Sequence, residues 1–329
     1  MRTIRPTILI LACCLAALAS GCTINAGTSP VQTAQSTSHE MRTGTLKVPA
    51  LIAVNGNTGA LEYWPIHPGG GGNVRRISGR GIFRGFGMVA NGRVVSFASQ
   101  SPPEILQFNV DTKAISTLPD PYGSPVDIAI GKDASLYVIN ATRGNGNVVM
   151  YPGGAPNPKE LVCSSIGLGE NIAVDNEGDI FVEEYIGRSV DVGIVEFPNG
   201  PNGPESNHCY QLRLGLGYAY TAGLVVDPKT DDLVALTNPD LCAGGVEGLM
   251  TIYTKPYRAK TARSVLVGRN CSGGLRLNAD STIVFVLDDN IGGGSPSVLQ
   301  RSFPGGRHMG VYGSGQSTSI TTIPNTLPN

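Results

Sequence analysis

Charged side chains are scarce: Asp, Glu, Lys and Arg make up 15% of the 329 residues, against roughly 25% in an average soluble domain. Tryptophan occurs once and histidine four times. Past the N-terminus there is no long apolar run and no segment with a sustained helical period, which excludes a polytopic membrane protein and a coiled coil. The formal charge of −1 leaves no electrostatic pull toward nucleic acid, so no nucleic-acid partner is expected. No GxSxG elbow is present. Gly69 to Gly72 are followed by no GK[ST], so they form no phosphate loop. No CxxC or Cys/His cluster offers a metal site. Glycine and proline are abundant instead, 44 and 23 residues, beside 41% apolar residues. That mixture predicts many short strands joined by turns around a large core.

The N-terminus reads as an address. Arg2 and Arg5 precede the apolar stretch Thr7 to Leu18, followed by small residues up to Cys22. This is the layout of a secretory signal, too short to stay as a spanning helix. Leu18-Ala19-Ser20-Gly21-Cys22 resembles a bacterial lipobox. That resemblance implies cleavage before Cys22 and acylation (diacylglycerol and palmitate-type chains) of Cys22, with outer-membrane sorting in a Gram-negative cell because Thr23 follows. The competing reading is an ordinary signal cut nearby, with Cys22 incidental. Residues 22–44 are rich in Ser and Thr and read as a flexible tether, after a signal peptide at 1–21 and before a folded domain at 45–329.

The rest of the chain repeats. One strand type ends in an aromatic residue: Trp64, Phe108, Tyr151, Phe197, Tyr253 and Phe303, spaced by 43 to 56 residues and mostly followed by Pro and Gly-rich turns. Ahead of each lies a second strand, such as LYVIN to Asn140 or IFVEE to Glu184, and ahead of that, from the second unit on, a third, such as DIAIG or NIAVD. A fourth strand follows each aromatic. Four strands in each unit make a propeller blade. The predicted fold is therefore all-β, a six-bladed β-propeller of four-stranded antiparallel blades. The first unit lacks its opening strand, and the leftover segment Ser317 to Asn325 is predicted to supply it and close the ring.

NIAVDNEGDIFVEE and GIVEFPNG in the fourth unit are similar to the NHL-repeat pattern, and LYVIN with VVMYPGG in the third to its relatives in secreted bacterial proteins. A single Trp cannot furnish a WD signature in every blade. The resemblance implies a six-bladed propeller, a scaffold that hosts binding proteins, lactonases and lyases alike, so it fixes no function.

Of seven Cys, Cys13 and Cys14 lie in the signal, leaving Cys163, Cys209, Cys242 and Cys271 beyond the tether. An even number in an exported chain suggests two disulfides. In a propeller, Cys242 and Cys271 fall on loops of one face, and Cys163 and Cys209 on outer strands of adjacent blades; these are the expected pairs, against free buried thiols.

Two sets of residues carry candidate chemistry. Second strands end in Asn55, Asn140, Glu184, Asn238 and Asp288, all at one mouth, where converging oxygens would suit a ligand or a cation such as Ca²⁺. Each is equally able to close its own turn. Innermost strands start with Phe86-Gly87, Val126-Asp127, Glu170-Asn171, Ala222-Gly223 and Gly273-Gly274. Gluconolactonase-type propellers hold a divalent ion there, and here only Asp127, Glu170 and Asn171 have ligating side chains, an incomplete set. His39, His67, His208 and His308 read as surface or packing residues. Arg75, Arg76, Arg80 and Arg84 read as a solvated edge, with anionic lipid headgroups as the sharper option. The expected function is a lipid-anchored cell-envelope module that binds or scaffolds an envelope protein or small ligand, with no obligatory cofactor. The alternative is a metal-dependent hydrolase or lyase on the same propeller.

Overall fold

The computed structural model describes residues 49–323 apart from 56, 68–73, 79–84, 142–145, 187–190, 201–202, 215, 217–218, 239–247, 268–271, 289–296 and 314–316. Cys22, Cys242 and Cys271 therefore lie outside the described residues, as do Arg80 and Arg84.

Strands follow one another in six sets. The first set is β1 (Ala50–Asn55), β2 (Ala60–Pro65) and β3 (Arg75–Arg76), and the second β4 (Gly85–Asn91), β5 (Val94–Gln100), β6 (Pro103–Asn109) and β7 (Ile115–Pro119). The third is β8 (Pro125–Ile130), β9 (Leu136–Asn140), β10 (Asn147–Tyr151) and β11 (Lys159–Val162), and the fourth β12 (Leu168–Val174), β13 (Ile180–Tyr185), β14 (Val192–Phe197) and β15 (Tyr210–Leu212). The fifth is β16 (Tyr220–Val226), β17 (Leu233–Asn238), β18 (Leu249–Tyr253) and β19 (Arg263–Leu266); the sixth is β20 (Ser272–Leu277), β21 (Ile283–Asp288), β22 (Ser297–Ser302) and β23 (His308–Gly313). The last strand, β24 (Ser317–Ile323), pairs antiparallel with β1, so the first blade has the order β24-β1-β2-β3 and the other five run in sequence order.

Each innermost strand packs on the next around a closed circle, β24 on β4, β4 on β8, β8 on β12, β12 on β16, β16 on β20 and β20 on β24. The predicted six-bladed ring and its C-terminal closing strand are both present. Closure pairs the edge that β1 would otherwise expose.

The hydrophobic core is not single. Six clusters each sit between two neighbouring blades. In β1, Ala50, Ile52 and Val54 face the second blade while Leu51 and Ala53 face the sixth. Successive side chains point to opposite faces of a sheet. A strand covered on both faces is therefore buried throughout, as β1 is, and reads as a continuous apolar run.

The repeated aromatics explain their own spacing. Trp64 enters the interface of its blade with the sixth, Phe108 the one between the first and second, and Tyr151, Phe197 and Tyr253 the next three. Phe303, which lies just beyond the end of β22 rather than on it, packs at the remaining one. Blades splay apart away from the axis, and a large side chain on the third strand fills each widening gap.

Cys163 and Cys209 are joined, Cα to Cα 6.1 Å, as expected. They follow β11 and precede β15, so the bond ties the rims of the third and fourth blades. The fourth strand of the first blade is shorter than VRRIS suggests, since only Arg75 and Arg76 pair, with Tyr63 and Glu62.

Candidate functional site

The face on which second strands end and innermost strands begin carries the predicted residues. All six innermost strands bulge at the same step, just inside that mouth. The extra residue is Val126 in β8, Glu170 in β12, Ala222 in β16, Gly273 in β20 and Thr318 in β24, with Phe86-Gly87 opposing one residue in β4. The dipeptides that align in the sequence are these bulges. A bulge bends its strand and re-aims the side chain that follows it, and the following positions are Gly87, Asp127, Asn171, Gly223, Gly274 and Ser319.

Those positions ring the axis. A cavity of about 30 Å³ is lined by Asp127, Asn171, Gly274, Arg276 and Ser319, from the third, fourth, sixth and first blades. Glycine is required where the inner strands crowd. A Cβ on Gly87 would lie 2.3 Å from the Asp127 Cα, and one on Gly223 2.8 Å from the Leu275 Cβ.

Arg276 spans the axis. From the sixth blade its Nη2 donates to the Met88 carbonyl of the second blade at 2.9 Å and reaches Asp127 Oδ1 of the third at 3.4 Å, while Nη1 donates to the Leu275 carbonyl at 2.7 Å. The other Asp127 oxygen accepts the Ile172 N–H at 3.1 Å. Burial pushes the Asp127 pKa up against the pull of the Arg276 charge, and the net direction is up. Asn171 Nδ2 donates to Glu183 Oε2 at 2.7 Å. Glu183 is 0% exposed, and its Oε1 has no hydrogen-bond partner among the described residues. Burial holds its carboxyl well above the ordinary range, despite the Asn171 amide. Glu170 is raised to about 7 by burial and then by the neighbouring Asp127 charge.

Asp127, Glu170 and Asn171 are thus brought together, with Glu183 and Arg276 as members that the sequence reading did not single out. Glu183 sits one residue before Glu184 in a strand that reads as core, and Arg276 becomes central only through contacts with blades far away in sequence. Among the described residues, these carboxylates do not gather three oxygens within 4.8 Å; the group that does is Asp175, Glu177 and Asp179 in the hairpin at the opposite end of the fourth blade. An ammonium already sits on that hairpin. Lys255 Nζ lies 2.8 Å from Asp175 Oδ2, 3.1 Å from Glu177 Oε2 and 3.8 Å from Asp231 Oδ2. Burial lowers the Lys255 pKa, but its acidic partners outweigh it and the net direction is up.

Of the second-strand ends, Asn55 and Glu184 are held by groups of their own blades. Asn55 Oδ1 accepts the N–H groups of Asn57 and Thr58, both at 3.1 Å, and its amide donates to Glu62 Oε1 at 3.2 Å. Glu184 accepts from the Gly167 N–H and the Gln211 amide; burial, opposed by those bonds, leaves its pKa at about 7. Asn140, Asn238 and Asp288 are buried at the ends of β9, β17 and β21. His67 stacks edge-on to Tyr312 with centroids 6.4 Å apart, and His208 and His308 are exposed.

No family model matches the sequence, and no curated protein matches it. Among solved structures, a chain of the nidogen–laminin complex aligns with 84% of this chain and 98% of its own, at 14% identity and a TM-score of 0.62. TolB from Acinetobacter baumannii aligns with 84% of this chain and 67% of its own, also at 14% identity and a TM-score of 0.62. A streptogramin B lyase aligns with 70% of this chain and 69% of its own at 11% identity, with a TM-score of 0.48. The first two likenesses are likenesses of fold, and the fold they share with this chain is the six-bladed β-propeller.

Proposed function

We propose that this chain is an exported, lipid-anchored propeller of the NHL-like kind that binds or scaffolds a partner at the cell envelope. The observation that carries the binding reading is the small cavity where Arg276 reaches Asp127 among the described residues. About 30 Å³ is room for one water-sized occupant, whereas pockets for small-molecule ligands run to about 300–1,000 Å³. Arg276 reaches Asp127 at the start of an innermost strand, where the gluconolactonase resemblance would put an ion, and supplies the positive charge that Asp127 faces. Larger hollows lie off the axis. One of about 420 Å³ is lined by Ile186, Val192, Leu212, Leu214 and Leu216 on the flank of the fourth blade. A rigid scaffold with recognition on its surface is the usual arrangement for binding modules. The nidogen–laminin structure is by its name a protein–protein complex, which agrees with this reading. The lipid anchor rests on Leu18 to Cys22 and the Ser/Thr-rich segment after it; two or more acyl chains hold a protein on a membrane where one does not.

Cross-linking in intact cells followed by detergent extraction tests both parts. The wild-type chain is expected in the detergent phase with a discrete cross-linked adduct, and Cys22→Ala in the aqueous phase without it. An aqueous wild-type chain overturns the anchor. Turnover of lactones that depends on an added divalent metal replaces the binding reading with the hydrolase one.

A further inference from the structure

We propose a calcium site at the mouth end of the third blade, formed by Asp120, Asn140, Asn147, Glu160 and the Tyr122 carbonyl. Five oxygen-bearing groups converge there from three stretches of chain. Asn140 ends β9 and Asn147 begins β10, directly opposite each other in the ladder. Asp120 follows the last strand of the second blade, anchored by its N–H to the Pro103 carbonyl at 3.2 Å. The Tyr122 N–H donates to Asp120 Oδ1 at 3.0 Å. Asn147 Nδ2 lies between the Tyr122 carbonyl, at 3.4 Å, and Glu160 Oε1, and bonds to both. Gly123 lies flat against Asn140, since a Cβ there would stand 2.9 Å from the Asn140 Cβ and Cγ.

The cluster is over-supplied with buried acceptors. Among the described residues three acceptors, Asp120 Oδ2, Asn140 Oδ1 and Asn147 Oδ1, lack a hydrogen-bond partner of good geometry, and Asn140 is 0% exposed. The Asn140 amide stands close enough to Asp120 to pull its pKa down, while burial first and the Glu160 charge last push it up, with a net rise. No ion pair to Asp120 or Glu160 occurs among the described residues. Buried polar atoms are rarely left unpaired in folded proteins, so three acceptors in one place call for an occupant.

The donor chemistry selects that occupant. Carboxylate, amide and backbone carbonyl oxygens, with no nitrogen or sulfur ligand, suit a hard cation, and a mixed set of five plus water suits the loose coordination of Ca²⁺ better than the strict octahedron of Mg²⁺. Turning the Asn147 amide over would present its Oδ1 where Nδ2 now bridges two oxygens. Two carboxylates and neutral partners match a weak site, in the roughly 10⁻⁴–10⁻³ M range of extracellular modules. The site stands apart from the axis and independent of the anchor.

The test uses the purified full-length chain in detergent, freed of metal by chelation and desalting. Calcium chloride at millimolar concentration is expected to raise the melting temperature by several degrees relative to sodium chloride of equal ionic strength. Terbium is expected to bind one ion per chain with luminescence sensitised by tyrosine. Glu160→Gln, at a half-buried position, and Asp120→Asn should each abolish both responses. Asp175→Asn, on the acidic hairpin at the other end of the fourth blade, should leave them intact. Asn140→Leu should melt higher than the parent without calcium and lose the calcium increment. The proposal is overturned if neither ion has an effect, if the effect survives both Glu160→Gln and Asp120→Asn, or if Asp175→Asn removes it.

Discussion

Glu170 is the residue on which pH should act most visibly. Its carboxyl carries a folded pKa of about 7, raised by burial and by Asp127 from the ordinary 4.5. The folded state therefore holds that proton more tightly than the unfolded chain does. The stabilisation is complete below about pH 4.5 and is lost as pH rises through 7. Melting temperature should thus fall between pH 5 and pH 8. Glu170→Gln, permanently neutral, should flatten part of that fall, gaining about 1 kcal/mol at pH 8 once partial exposure is discounted, or about 2–4 °C, and nothing at pH 4. Parallel thermal melts of the two proteins across that range decide it; equal slopes would remove Glu170 as the cause. Arg276 tests the axis at the same scale. Arg276→Met strands a buried Asp127 and is expected to cost about 3–5 kcal/mol, whereas the pair Asp127→Asn with Arg276→Met should regain most of it. Denaturant unfolding of the three variants gives the coupling directly. Additive losses would mean that the 3.4 Å contact contributes little.

Strands and their links carry the next level of specification, and much of it was readable in the sequence. The aromatic residues that end third strands mark the period because each of the six wedges a blade interface, a demand that recurs once per blade. The starts of the innermost strands aligned because each contains the bulge, and so Asp127, Glu170 and Asn171 could be placed near the axis from the sequence alone. Arg276 could not. Its importance lies in reaching Met88 and Asp127 across the ring, and no local pattern records which strands face one another over an axis. Glu183 was hidden differently: a carboxylate inside a β-strand looks like one more polar alternation until its full burial is seen. Asn140 was in view as the end of a turn, but the Asp120 and Glu160 of the same cluster come from the neighbouring connector and the outer strand. The rim tie between Cys163 and Cys209 was legible, since adjacent outer strands bring residues one blade apart into reach. Closing a loop of 46 residues removes unfolded-state entropy equivalent to about 4 kcal/mol in the chain-entropy model. Cys163→Ala with Cys209→Ala should lower stability by about 2–4 kcal/mol, read as a lower denaturant midpoint. An unchanged midpoint would mean that the ring already restrains the two rims.

At the scale of the whole molecule, stability depends on a circle having no end. Each blade is buried on both faces only while both neighbours are present, because the six cores lie between blades rather than within them. The ring is closed by one strand from the far end of the chain. β24 supplies the partner of β1 over Ala50 to Asn55 and puts Ile320 into the core between the sixth and first blades and Ile323 into the core between the first and second. Removing it should do more than subtract seven residues. The inner edge of β1 would be left with unpaired backbone groups, which invite pairing with another chain, and two of the six cores would lose their inner wall. A chain ending before Ser317 is therefore expected to lose its cooperative melt and to associate, with the change exceeding that of any single core substitution such as Phe197→Ala, at about 3–5 kcal/mol. Adding the peptide Ser317 to Ile323 in trans should restore a monomer if closure is the cause. A truncated chain that stays monomeric and melts as the parent does would show that the first blade holds with three strands, and that the ring closes through its side chains alone.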